Sequence, residues 1–185
     1  MSADPLALFS ADEAAPPEPA APRVTERVML DALHQRYCQR YGNGVRYVTA
    51  EHVRSHASFD ARRTADFVAM DMWKTGRLEL HGHEVKVSRS DWLRELEDPS
   101  KAEEFIPYMN RWWLVIADES MVRPGELPDG WGMLVLARPD SLASLRVVKH
   151  APRRDALPLT PTRLAGLLRA VAQTAAMQER KAMPR

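Results

Sequence analysis

The chain has 185 residues, 45% apolar and 28% charged, with a net charge of +1. This suits one globular domain with a real core plus a tail or two. The single cysteine, Cys38, excludes an intrachain disulfide and a Cys-based zinc site, and no apolar run is long enough to span a membrane.

Residues 1–22, MSADPLALFSADEAAPPEPAAP, read as a disordered, acidic, Pro/Ala-rich tail with four acids and no Lys or Arg. They lack the basic start and apolar centre of a secretory signal, so a reducing cytoplasm is the expected home. One domain is predicted over 23–185. Val24, Val28, Leu30, Leu33 and Tyr37 fall near helical spacing, with Thr25 as cap and the glycines of GNG (42–44) as stop. VRYVTAEHV reads as a strand running into a turn or short helix. Residues 64–73 and 77–88 read as two strands, joined by a compact hairpin turn at Lys74-Thr75-Gly76. The stretch after Ser88 has a helical period, broken near Asp98-Pro99 and strained at Pro107. RWWLVIAD (111–118) has the nearly all-apolar composition of a strand buried on both faces. WGMLVLA and LRVVKHA form a further hairpin, and a basic amphipathic helix closes the chain. The expected fold is α/β, a sandwich around a central mixed sheet.

Strand alternation places Glu84, Lys86 and Ser88 on one face and Val85 and Val87 on the other. If the two strands pair, Asp66 comes across from Glu84–Lys86. Two converging carboxylates suit a hard divalent cation, which takes one or two carboxylates, waters and substrate phosphate oxygens. A neighbouring Lys can orient or deprotonate an attacking water and offset charge developing at phosphorus. The same Glu-x-Lys pattern also occurs as an ordinary ion pair on amphipathic strands.

Ala65-Asp66, then Glu84-Val85-Lys86, then a helix and a buried strand resembles the PD-(D/E)XK nuclease superfamily. The block EVKVSRSDWL, with Lys101, Tyr108, Trp112, Trp113, Leu127, Pro128 and Gly132 downstream, is similar to its MmcB-related DNA-repair family. The resemblance spans about residues 24–175, and Ala65 stands where the signature has proline. It implies a restriction-endonuclease-like αβββαβ core and a DNA nuclease of repair or recombination, in the cytoplasm of a bacterium or a phage host. It implies Asp66 and Glu84 as ligands of Mg²⁺ or Mn²⁺, the Val85 carbonyl as a further ligand, and Lys86 as the catalytic lysine. Glu26 would be an accessory acid, although a first-turn Glu also suits the helix dipole. Ser88, Arg89 and Lys101 would lie near the DNA backbone, the alternative being capping and surface solvation. Superfamily members often dimerise, so a homodimer is a further expectation. Tyr108 is expected to pack. Lys86→Ala is expected to abolish cleavage while leaving the fold and most DNA binding intact.

Other residues offer weaker chemistry. His81-Gly82-His83-Glu84 echoes the H-x-E of zinc deaminases, but the Cys-x-x-Cys partner is absent. His52 and His56, four apart, could share a helix face as ligands; no third ligand is evident, and exposed histidines are the expectation. Trp112 and Trp113 could stack bases, or pack in a buried strand. PLALF in the tail resembles the short peptide by which bacterial repair proteins dock on the DNA sliding clamp, with Leu6, Leu8 and Phe9 as anchors and Pro5 in place of its glutamine. The rival to a nuclease is a nuclease fold that binds DNA or a repair partner without cutting.

Overall fold

A computed structural model describes residues 24–38, 40–41, 44–55, 63–98, 100–137 and 144–183. The tail with Leu6, Leu8 and Phe9, and His56, lie outside these residues, as do the side chain of Lys101 and most of the predicted GNG stop. The chain runs α1 (Glu26–Tyr37), β1 (Arg40–Tyr41), β2 (Gly44–Val45), β3 (Tyr47–Arg54), β4 (Thr64–Asp71), β5 (Leu80–Lys86), α2 (Arg89–Glu97), α3 (Ser100–Glu103), β6 (Arg111–Ile116), β7 (Trp131–Leu136), β8 (Leu145–Lys149) and α4 (Pro161–Ala182). The fold is α/β: a six-stranded mixed sheet of order β3-β4-β5-β6-β7-β8, flanked by helices. The inner pairs β5–β6 and β6–β7 are parallel and the outer pairs antiparallel. No helix among the described residues is long and apolar enough to cross a membrane.

The helices start where their caps dictate. Thr25 Oγ1 accepts from Val28 N at 3.4 Å, Ser88 Oγ from Asp91 N at 3.2 Å, and Thr160 Oγ1 from Arg163 N at 3.4 Å ahead of Pro161 at the first helical position.

Alternation along the strands feeds two cores. On one face Phe67, Val85, Trp113 and Val115 cluster with Leu30 and Leu33 of α1. On the other, Val68, Trp112, Leu114 and Trp131 cluster with Trp92 of α2, Ala102 of α3 and Ala170 of α4. Trp112 and Trp113 are 0% and 5% exposed, so the period of two sends neighbouring indoles into opposite cores and leaves neither a free stacking surface. Gly82, paired with Trp112 across β5–β6, is the one residue that fits there: a Cβ would sit 2.3 Å from the indole ring.

Two sequence expectations change. Lys74–Gly76 is not a tight hairpin turn but a single 3₁₀ turn within a longer connection from Asp71 to Leu80, with Arg77 and Leu78 at φ 59° and 55°. Asp71 is the cause. Its carboxylate accepts from Trp73 N at 3.0 Å and from Arg46, which bends the chain before it can return directly. The segment VRYVTAEHV does not pass into a helix, because β4 pairs with β3 along nearly its whole length, from Tyr47–Asp71 to Arg54–Thr64.

Candidate metal centre at the β3–β4 rim

Asp66 stands where the strand alternation breaks. Ala65 packs in the α2/α4 core and Phe67 in the α1 core, although a regular strand would give them one face. Opposite, the β3–β4 ladder pairs Glu51 with Phe67 and Val53 with Ala65, and between them His52 has φ 49°. A left-handed non-glycine residue in a strand costs on the order of 1–3 kcal/mol and must be held by its surroundings.

Those surroundings come from α1. Arg27 Nη1 and Nη2 donate to the two oxygens of Glu51, each at 2.7 Å, and His34 Nε2 lies 2.6 Å from Glu51 Oε1. One residue earlier on the helix and one later on the strand, Glu26 Oε1 lies 3.9 Å from His52 Nδ1. The part-buried clamp Arg27–Glu51 thus sets the exposed pair Glu26–His52 beside it. Donor atoms of Glu26, His52 and Asp66 all lie within 4.8 Å of one another, two carboxylates and an imidazole from three different elements. This set fits a divalent cation, and the imidazole shifts its preference from Mg²⁺ toward Mn²⁺ and later transition metals.

Asp66 also ties this rim to β5. Its Oδ2 accepts from Val85 N at 2.8 Å, and one step beyond the last ladder pair, Phe67–His83, the register brings Asp66 opposite Glu84. The predicted pairing of the two strands is therefore present. The carboxylate of Glu84, however, is 1% exposed and engages Lys86, whose Nζ lies 2.7 Å from Glu84 Oε1 and 2.9 Å from Glu95 Oε2 on α2. Asp66 belongs to both the expected ligand pair and the observed cluster; Glu84 belongs to a buried Glu84–Lys86–Glu95 triad next to it.

Burial alone would lower the pKa of Lys86. The charge of Glu84 and its hydrogen bond, then Glu95, outweigh this and hold the pKa above the ordinary lysine value. Lys86 is accordingly a fixed ammonium, suited to offsetting negative charge rather than to taking a proton from water.

Ser88, Arg89 and Tyr108 have partners within the fold. Ser88 caps α2. Arg89 pairs with Glu126 and donates to Met121 O at 2.7 Å, pinning the start of α2 to the loop after β6. Tyr108 lies under the Arg163 guanidinium, 4.2 Å from its carbon to the ring centroid. His81 and His83 face α1, where Tyr37 Oη is 2.9 Å from His83 Nε2, whereas Glu84 faces α2. Sequence reasoning missed Glu95 and His52. Glu95 carried a signal, as an acid one helical turn from the buried Trp92. In sequence His52 reads as half of a helical pair, a geometry its strand does not have.

The buried titrating groups predict acid sensitivity in two steps. Burial lowers the pKa of His81 to about 4, below the ordinary 6.5. The unfolded chain therefore takes up that proton first, and stability falls as pH drops from about 6.5 to 4. For Glu51, burial pulls upward, but the hydrogen bonds from His34 and Arg27 prevail and bring its pKa to about 2 from 4.5. Its contribution is full above about 4.5 and is lost as pH falls toward 2. Urea unfolding at pH 7, 5.5, 4 and 3 should show both declines. In Glu51→Gln the lower one should shrink, with less stability at pH 7, the remainder coming from carboxylates such as Asp71 and Glu79 whose pKa values are also lowered; an unchanged profile would rule out the clamp.

No family model matches the chain, and no curated protein matches it. Among solved structures, a protein of unknown function from Silicibacter pomeroyi is similar, with a TM-score of 0.47 and 19% identity over 75% of this chain and 84% of that one.

Proposed function

We propose that this chain is a metal-dependent nuclease that hydrolyses phosphodiester bonds in DNA, with its metal held at Asp66. The observation that carries the reading is the convergence of Glu26, His52 and Asp66, within 4.8 Å, beside a buried lysine fixed between two carboxylates. A divalent ion bound there supplies a Lewis acid for a phosphoryl oxygen and a more acidic water. Asp66, Glu26 and His52 present the donors. The hydrogen bond from Val85 N orients the Asp66 carboxylate, and the Val85 carbonyl would be the further ligand that the family resemblance implies. Glu84 and Glu95 keep Lys86 charged, and its ammonium contributes positive potential where negative charge builds at phosphorus. Water adds to phosphorus, one P–O ester bond breaks, and the leaving oxygen departs with the proton that water releases.

One observation favours a second reading, a DNA- or repair-partner-binding module that does not cut. Glu84 and Lys86 are 1% and 5% exposed, which is the burial of a structural ion network.

A cleavage assay separates the two. Single-stranded, duplex, flap and mismatched DNA would be incubated with the chain in Mg²⁺, Mn²⁺ or EDTA. We expect cutting that needs a divalent ion and is faster with Mn²⁺ than with Mg²⁺, with His52→Ala narrowing that preference. Folded protein that binds DNA but never cuts would move the assignment to the binding module.

A further inference from the structure

A recess of about 220 Å³ opens beside His52, between β3 and α4, lined by His52, Arg54, Gly166, Arg169, Ala170 and Gln173. Arg54 lies two residues beyond His52 on β3, while Arg169 and Gln173 are four apart and so share one face of α4. Gly166 and Ala170 form the floor, and their small size leaves room between strand and helix. Thr174 Oγ1 accepts from Glu51 N at 2.9 Å, fastening α4 to β3 at the residue before His52. The walls are therefore set by regular elements rather than loops.

The chemistry of the lining is that of an anion site. Two guanidiniums and a carboxamide offer planar, multiple N–H donors matched to phosphate oxygens. The volume is below the roughly 300–1,000 Å³ of drug-sized pockets and suits a small group. His52 belongs both to this recess and to the Glu26–His52–Asp66 cluster, so a phosphate held here lies next to the metal centre.

We propose that the Arg54–Arg169 recess is a subsite for a backbone phosphate of a nucleic-acid strand, adjacent to the phosphate at Asp66. Its place in catalysis rests on the nuclease reading; its affinity for a phosphate backbone does not. The site differs from the contacts that the sequence suggests at Ser88 and Arg89, which serve the fold.

The test is binding of fluorescently labelled single-stranded and duplex DNA in EDTA, followed by anisotropy over a salt series. Arg54→Gln and Arg169→Gln, singly and together, would be compared with wild type, and with Arg180→Gln in the last turn of α4 as a control. Each single change should weaken binding roughly tenfold on every sequence and reduce the log–log salt slope by about one. Arg180→Gln should do neither, and circular dichroism melts run on every variant separate loss of the site from loss of the fold. Wild-type affinity and slope in the double variant would overturn the subsite, as would a wild type that binds no DNA. Loss of binding in the variants, with a wild type that never cuts, would uphold the subsite and reject the nuclease. Metal-dependent cutting by variants that bind like wild type would do the reverse.

Discussion

Lys86→Met is expected to destabilise the folded chain by about 3–5 kcal/mol, because it removes the partner of two buried charges. The side chains of Glu84 and Glu95 are 1% and 5% exposed, and Lys86 Nζ reaches both. Without it, each carboxylate must either stay charged in a poorly solvated site or take up a proton. This revises the sequence expectation for Lys86→Ala, in which the fold survives intact: alanine removes the same counter-charge and leaves a cavity besides. Urea unfolding of Lys86→Met should show a lower midpoint at unchanged slope. The triple change Glu84→Gln, Lys86→Met, Glu95→Gln should recover much of the loss, as replaced buried ion networks often do. If Lys86→Met alone stays within about 1 kcal/mol of wild type, Lys86 is not the counter-charge of the triad. For the same reason, inactivity of a Lys86 variant counts as chemical evidence only when its folding is measured alongside.

On the proposed nuclease reading, Asp66→Asn should reduce metal-dependent cleavage by on the order of 10³-fold, the scale of losing one well-placed electrostatic group in an active site. Asparagine keeps an oxygen that can accept from Val85 N, so the link between β4 and β5 persists while the charge is lost. The melting temperature should therefore stay close to wild type, and Mn²⁺ binding by calorimetry should drop out. An Asn variant that still binds Mn²⁺ as tightly as wild type would place the metal elsewhere. This change separates chemistry from stability more cleanly than any change at Lys86, because Asp66 sits at the partly exposed rim and Lys86 inside the core.

Much of the architecture follows from near-neighbour physics and is legible in the sequence. Thr25 and Ser88 announce helix starts because a hydroxyl three residues before a free N–H satisfies it wherever the chain later packs. RWWLVI reads as a doubly buried strand because composition alone reports that both faces meet apolar surroundings. The same-side placement of Glu84 and Lys86 follows from the period of two, and their contact at 2.7 Å realises it.

Only the tertiary structure decides what those groups meet. Glu26, His52 and Asp66 are separated by 26 and 14 residues. They converge through the β3–β4 register, a left-handed backbone at His52 and the clamp of Arg27 on Glu51. The Lys86 ammonium is fixed by Glu95 only because α2 lays its buried face over β5. Arg89 looks like a phosphate contact in the linear motif and becomes a brace once Glu126 arrives from a loop 37 residues on. By itself the sequence determined most of the longer elements, the doubly buried strand and the same-side placement of Glu84 and Lys86, because these depend on periodicity within a few residues. Register, helix placement and the sharing of charges between distant segments were decided by packing, because they depend on long-range contacts that no local pattern encodes.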